Sequence, residues 1–170
     1  MKLMRGRDLA VAALIAAMYA ALVIALPMVS FLLWQVRIAD ALLMLSTVLG
    51  WPAVVGVTLG CFIGNLTAPW GSTSLVLMDA VLGSLANFIA SYAAYKVAYR
   101  RGIAYKLTAA AAEIAAISLI VGSYLKYLLL WAFNVDIPLA ISILGVLPGS
   151  IIAIGVLGTA LALALERRVT

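Results

Sequence analysis

The chain has 170 residues, of which 67% are hydrophobic and 10% are charged. An ordinary soluble domain is about 45 to 50% apolar and about 25% charged, so this chain lacks the polar residues that a water-facing surface needs. The composition excludes a soluble globular domain and indicates that membrane lipid covers most of the surface. The net charge of +5 does not indicate a nucleic-acid partner, because the basic residues form small clusters without interleaved aromatic residues.

Six apolar runs follow one another along the chain, and each is predicted to be a membrane helix. The first follows a basic segment, as a signal peptide does, but no cleavage site precedes a soluble domain, so we interpret it as a spanning helix. The second is short and begins with Arg37 and Asp40, which indicates that it starts in a polar cavity rather than in lipid. The predicted helices are 9–26, 38–49, 53–66, 75–99, 107–133 and 139–165.

The basic residues predict the orientation of these helices, because Lys and Arg are enriched in cytoplasmic loops. The clusters are Lys2, Arg5 and Arg7, then Lys96, Arg100, Arg101 and Lys106, and finally Arg167 and Arg168. They place both termini in the cytoplasm. The sequence therefore predicts an all-α integral protein of the cell membrane, a six-transmembrane-helix bundle that forms a single transmembrane domain over residues 1–170.

Small residues lie along one face of two predicted helices. In the third helix Gly56, Gly60 and Gly64 recur every four residues, which lets a neighbouring backbone approach closely. The alanine face of the first helix fits close packing inside the bundle, and it equally fits docking of another membrane protein. Its residues are Ala13, Ala17, Ala21 and Ala25, with Ala12, Ala16 and Ala20 beside them.

Charged and polar residues within the predicted spans gather in the outer halves of their helices. A charge in a bilayer costs at least about 2.5 to 3.5 kcal/mol, so it marks a site or an ion pair. In one interpretation Arg37 pairs with Asp40, and Asp79 pairs with Lys126. In the other, a carboxylate accepts N–H donors from a planar heterocycle on which an aromatic ring stacks. The candidate ligand-binding residues are Gln35, Arg37, Asp40, Asn65, Asp79, Lys126, Tyr127 and Trp131, with Tyr124, Asn134 and Trp34 nearby.

Motifs for catalysis and metal binding are missing from the sequence. Cys61 is the only cysteine and there is no histidine, which argues against a disulfide framework, a zinc site and a His-based triad. No Walker motif or nucleophile elbow occurs, so we expect neither ATP hydrolysis nor an enzyme, and no cofactor in this chain. Glu113, near the inner end of its helix, is predicted to reach toward Lys106 or Arg101.

Three segments resemble the QueT family, the queuosine-precursor-binding subunits of energy-coupling-factor transporters. They are residues 35–42 (QVRIADAL), 60–66 (GCFIGNL) and 79–86 (DAVLGSLA). The family pattern runs Q-x-R-[IV]-[SA]-E-A-L, G-x-x-[IL]-[AG]-N-L and D-x-[VI]-x-G-[ST]-L-A, in the same order and at similar spacing. Asp40 stands where the family usually has Glu, and it keeps the charge on a shorter side chain.

The resemblance implies a six-helix subunit that captures a deazaguanine precursor of queuosine from outside. It implies a coupling transmembrane subunit that meets Ala13, Ala17 and Ala21, and two ATPase subunits that use the ATP. Three alternatives stay open: a binding subunit for another vitamin-like heterocycle, a structural bundle without a ligand, and a small channel or self-sufficient carrier. The last is disfavoured, because the inner half offers few polar groups and no inverted repeat is visible.

Overall fold

The computed structural model describes residues 4–31 and 33–169, so Lys2 of the N-terminal basic cluster lies outside the described residues. All regular structure within these ranges is helical. The α-helices are α1 (Gly6–Ala25), α2 (Pro27–Ser30), α3 (Ser46–Leu49), α4 (Trp51–Asn65), α5 (Thr73–Ala98), α6 (Ile103–Phe133), α7 (Leu139–Ser150) and α8 (Thr159–Val169). A 3-10 helix (Ile38–Leu45) leads into α3, and a π-helix (Ile151–Gly158) joins α7 to α8.

Within the described ranges, four helical stretches have the length and apolar character of a membrane span. They are Gly6–Ala25, Thr73–Ala98, Ile103–Phe133 and Leu139–Arg168. The shorter apolar helices Ile38–Leu49 and Trp51–Asn65 are each about 22 Å long, against about 30 Å for the hydrocarbon core of a bilayer. All six predicted runs are helical, and the four long apolar helices indicate an all-helical membrane bundle.

Glycines allow α4 to pack directly against α1. A Cβ atom added to Gly60 would lie 2.6 Å from Cβ of Tyr19 and 2.7 Å from the backbone oxygen of Ala16. A Cβ on Gly56 would lie 2.8 Å from the backbone oxygen of Ala12, and a Cβ on Gly64 would lie 2.9 Å from Cβ of Val23. The prediction that this glycine face admits a neighbouring backbone is therefore confirmed.

The alanines of α1 divide between two faces of the helix. The buried alanines are Ala12, Ala16 and Ala20. The exposed alanines are Ala10, Ala13, Ala17, Ala21 and Ala25. The first set packs within the bundle, while the second set is open to lipid or to another membrane protein.

The segment Ile38–Leu49 lies at the centre of the bundle, where residues 39–48 are all buried. It contacts α1, α4, α5, α6 and the π-helix. Two glycines bring it close to the C-terminal helices. A Cβ on Gly158 would lie 2.9 Å from the backbone oxygen of Ala41, and a Cβ on Gly149 would overlap the backbone carbonyl of Gln35. These contacts hold the beginning of the central segment in place.

A buried ion pair connects the start of α6 to α8. The ammonium of Lys106, which is fully buried, donates to Glu166 at 2.7 Å and to the backbone oxygen of Arg101 at 2.6 Å. Glu113 is also fully buried, and neither of its carboxylate oxygens has a hydrogen-bond partner among the described residues. The prediction that Glu113 reaches toward Lys106 or Arg101 is wrong, because Lys106 takes its counterion from the C-terminal helix.

Candidate ligand-binding site

Asp79 lies near the beginning of α5 and is only 3% exposed. The indole N–H of Trp70, in the segment before α5, donates to its Oδ2 at 2.8 Å. The hydroxyl of Tyr124, on α6, donates to its Oδ1 at 2.9 Å. Both carboxylate oxygens are therefore occupied by donors from within the chain, and the carboxylate joins three parts of the fold.

Asn65, the last residue of α4, connects Asp79 to Arg37. Its amide nitrogen donates to the backbone oxygen of Asp79 at 3.1 Å, and its side-chain oxygen accepts a hydrogen bond from Nη2 of Arg37. The guanidinium of Arg37 lies 5.4 Å from the centroid of the Phe31 ring. Its Nε–H has no partner among the described residues, so a buried donor of the guanidinium is unused.

Asp40 accepts a hydrogen bond from the hydroxyl of Tyr19, which is fully buried on α1. Among the described residues, Arg37 and Asp40 form no ion pair within 4 Å. The predicted Arg37–Asp40 pair is therefore wrong. Arg37 precedes the 3-10 helix with non-helical backbone angles (φ −77°, ψ 88°), and its guanidinium donates to Asn65 instead.

Two adjoining cavities border these residues, and Gln35 and Arg37 line both of them. Asp40 borders the first cavity and Asp79 borders the second. Each has a volume of about 10 Å³, which is enough for about one water molecule. A pocket for a small organic ligand is about 300 to 1,000 Å³. We call this group, with its cavities, the polar cluster: Tyr19, Gln35, Arg37, Asp40, Asn65, Trp70, Asp79 and Tyr124.

An aromatic pair closes the second cavity. Phe31 and Trp70 are buried side chains from two different connecting segments, and their rings meet edge to face at 6.3 Å. On its other side Trp70 contacts Phe133, at the end of α6, with ring centroids 6.0 Å apart. Phe133 is half exposed, so Trp70 separates an exposed ring from the carboxylate of Asp79.

The structure brings five of the eight predicted ligand-binding residues into the polar cluster. They are Gln35, Arg37, Asp40, Asn65 and Asp79. Lys126 lies outside it and pairs with the exposed Asp136 at 3.0 Å. The predicted Asp79–Lys126 pair is wrong, because Lys126 is about 200° further round α6 than Tyr124, which faces Asp79.

Tyr127 and Trp131 also lie outside the polar cluster. They are 47% and 58% exposed, and their rings contact each other at 5.7 Å. Trp34 is 68% exposed. These rings do not lie over the carboxylates as expected, and the aromatic residues that border the second cavity are Phe31, Trp70 and Tyr124.

Sequence reasoning missed the roles of Tyr19 and Trp70. Tyr19 carries the only polar side-chain group between residues 9 and 29, and a lone hydroxyl in an apolar span is a usable signal for a buried hydrogen bond. Trp70 stands between Pro69 and Gly71, where sequence predicts a turn but not the direction of the indole.

The sequence pattern of the QueT transporter family matches residues 9–167 of the chain. No curated protein and no solved structure matches it at a significant level. The matched range includes every residue of the polar cluster, the whole of Thr73–Ala98 and Ile103–Phe133, and most of the other two long apolar helices. The family's function is transport rather than catalysis. The chain therefore belongs to the QueT transporter family, and its role is that of a membrane-embedded transporter protein.

Proposed function

We propose that this chain is the substrate-binding subunit of an energy-coupling-factor importer, and that a deazaguanine precursor of queuosine binds in the polar cluster. One observation carries the proposal. The three segments that resemble the family contribute Arg37 and Asp40, Asn65, and Asp79 to the same buried group of side chains. Buried ionisable groups are costly in a membrane protein, and their gathering at one place is typical of a substrate site.

The donors and acceptors of the polar cluster suit a planar heterocycle of this class. A carboxylate such as that of Asp79 accepts two N–H groups from a ring edge that carries a ring N–H and an exocyclic amine. The unused Nε–H of Arg37 is available to a ring carbonyl, and the amide of Gln35 offers one donor group and one acceptor. Phe31 and Trp70 provide aromatic faces beside the same cavity.

Binding requires the polar cluster to open, because each cavity has only about 10 Å³. Gln35 and Arg37 stand between the two cavities, so displacing them joins the spaces beside Asp40 and Asp79. Movement of Trp70 breaks its hydrogen bond to Asp79 and releases an oxygen for a ligand N–H. The indole and the ligand therefore compete for Oδ2 of Asp79. Because the ligand has a higher affinity for the open arrangement of the polar cluster than for the closed one, its binding stabilises the open arrangement.

The proposal includes the arrangement in the membrane and the partners. Six crossings with both termini in the cytoplasm follow from the positive-inside rule, with the polar cluster in the outer half. The exposed alanines Ala13, Ala17 and Ala21 allow close approach of a coupling transmembrane subunit. Two ATPase subunits would supply the energy from ATP.

Calorimetric titration of the purified chain with deazaguanine tests the proposed site. We expect Asp79→Asn to weaken binding at least about tenfold, because a hydrogen bond to a charged group contributes about 1.5 to 3 kcal/mol. Asp136→Asn makes the same chemical change at a carboxylate that is 68% exposed, and it should leave affinity within about twofold. Equal affinities of both variants would contradict the site, and no binding by the unmodified chain would contradict the ligand.

A second ligand of the same class is favoured by one feature of the site. Asp40 is shorter than the glutamate that the family pattern usually has, and Tyr19 already donates to it. The site therefore also suits another planar vitamin-like heterocycle, one whose N–H donors lie farther from the segment Ile38–Leu49 and do not need the carboxylate of Asp40. Tighter calorimetric binding of such a compound than of deazaguanine would support this alternative.

A further inference from the structure

A cleft opens at the end of the bundle opposite to the polar cluster, where α1 begins and α5 ends. It lies between the first turn of α1, the turn that joins α3 to α4, and the last turn of α5. It consists of two adjoining cavities of about 580 Å³ and 340 Å³. We call it the basic cleft, and its charged and aromatic lining consists of Arg5, Arg7, Asp8, Trp51, Tyr95, Tyr99 and Arg100.

The basic cleft has an excess of positive charge. Arg5, Arg7 and Arg100 have no ion-pair partner in the part of the chain that the structure describes. The single acid in the lining, Asp8, accepts a 3.1 Å hydrogen bond from the backbone N–H of Arg5 at the start of α1. The lining therefore carries three guanidinium groups and one carboxylate that is already hydrogen-bonded, and this net positive charge favours the entry of an anion.

The walls of the basic cleft are held in place by the backbone on two sides. Gly50, in the turn before α4, has a φ of +73°, and a Cβ there would lie 2.8 Å from the ring of Tyr99. Arg100 has a φ of 55°, and its backbone N–H donates to the oxygen of Thr47 at 3.0 Å. Arg100 directly follows Tyr99, the C-cap of α5, a position at which helices commonly end with a left-handed residue. The backbone position of Arg100 is therefore fixed before a ligand binds.

We propose that the basic cleft binds the phosphate headgroup of an anionic phospholipid. Guanidinium groups bind phosphate oxygens through paired N–H donors. The cleft lies at the ends of two membrane-spanning helices, α1 and α5, which is the level of lipid headgroups. Trp51 and Tyr99 are side chains typical of this interface. The lining also includes apolar Leu49 and Pro52, which suit the glycerol and upper acyl region better than a free hydrated ion.

Native mass spectrometry of the full chain in detergent, with added phosphatidylglycerol or phosphatidylcholine, tests this proposal. We expect phosphatidylglycerol to bind more tightly than phosphatidylcholine. The double variant Arg5→Gln/Arg100→Gln should lower phosphatidylglycerol affinity roughly 25- to 30-fold, since each basic residue near an anionic lipid contributes about a fivefold factor. The variant Arg167→Gln/Arg168→Gln removes the same charge from exposed residues outside the lining, and should keep affinity within about twofold.

Several outcomes would overturn the lipid assignment. Equal losses of phosphatidylglycerol affinity in the two double variants would show that the lipid is attracted by the positive charge of the whole surface and not by the basic cleft. Equal binding of the two lipids would show that the net negative charge of the headgroup is not recognised, and would contradict the proposal. Displacement of phosphatidylglycerol by millimolar inorganic phosphate would identify free phosphate as the bound group. If Arg5→Gln/Arg100→Gln fails to fold, the exposed Arg7→Gln should still show about a fivefold loss, and an unchanged affinity would contradict the proposal.

Discussion

Trp70 donates its indole N–H to Asp79 over 2.8 Å, and this bond ties the segment between α4 and α5 to the centre of the polar cluster. The bond satisfies one buried carboxylate oxygen, while Tyr124 satisfies the other at 2.9 Å. It also places an aromatic side chain between the carboxylate and the exposed ring of Phe133. Trp70 is therefore both a stabilising residue and a barrier to Asp79.

The variant Trp70→Phe keeps an aromatic ring and removes the N–H donor. The free energy of unfolding should fall by about 1 to 3 kcal/mol, because Oδ2 of buried Asp79 loses its partner. Thermal and denaturant unfolding in detergent measures this. Trp131→Phe is the matched control, since Trp131 is 58% exposed, and it should change stability by less than about 0.5 kcal/mol. Equal losses would contradict the assigned role of the bond.

The same variant should increase ligand affinity. Without the indole N–H, Oδ2 of Asp79 is available to a ligand N–H, and the phenyl ring still offers an aromatic face. We expect deazaguanine to bind about two- to tenfold more tightly to Trp70→Phe, the net contribution of one hydrogen bond. Calorimetry measures the change. Weaker binding would mean that the indole itself holds the ligand.

The contact between α1 and α4 should be intolerant of a single methyl group. In Gly60→Ala the new Cβ would lie 2.6 Å from Cβ of Tyr19 and 2.7 Å from a backbone oxygen, so the helices must separate, at about 1 to 3 kcal/mol. In the control Gly155→Ala the nearest atom is 3.4 Å away, and a small gain from helix propensity of up to about 1 kcal/mol is expected. Unfolding midpoints in detergent compare the two, and similar values would contradict the packing argument.

Loss of the acid that pairs with Lys106 should destabilise the bundle. Glu166→Gln removes the charge 2.7 Å from an ammonium that is fully buried, which should cost about 1.5 to 3 kcal/mol of unfolding free energy. Asp136→Asn removes the charge from the exposed partner of Lys126 and should cost less than about 1 kcal/mol. The comparison uses denaturant unfolding, and an equal or larger loss for Asp136→Asn would refute it.

Glu113 should be replaceable with a gain in stability. Its carboxylate is fully buried, and neither oxygen has a hydrogen-bond partner among the described residues. Glu113→Met retains an unbranched side chain and removes both unsatisfied atoms, so the free energy of unfolding should rise by about 1 to 3 kcal/mol. A lower unfolding midpoint than that of the unmodified chain would show that Glu113 makes a stabilising interaction.

The helices could be predicted from the sequence because an apolar run in lipid has few alternatives to helix. The glycine spacing in α4 also predicted a close helix contact, since a four-residue repeat stays on one face. The segment Ile38–Leu49 was harder to predict, because it is short for a membrane span. Its 3-10 geometry and its position inside the bundle depend on contacts with Gly149 and Gly158, which lie more than a hundred residues away.

The pairing of the charged residues could not be predicted in the same way. Periodicity shows which residues share a face of α6, but it does not show which face points toward Asp79. Tyr124, Lys126 and Tyr127 are close in sequence and lie on different faces, so the rotation of the helix about its axis decides which of them reaches Asp79. That rotation depends on packing, such as the approach of α7 to Gly122, where a Cβ would lie 2.6 Å from Cα of Ile143. The direction of Trp70 likewise depends on tertiary contacts and not on local sequence.

The most direct measurement is an experimental density map of the chain with deazaguanine bound. The proposed function predicts planar density between Gln35, Arg37 and the carboxylate of Asp79, with the indole of Trp70 moved from its hydrogen bond. Planar density at another place, with Trp70 still bonded to Asp79 and the cavities still closed, would contradict the claim that the polar cluster is the substrate site.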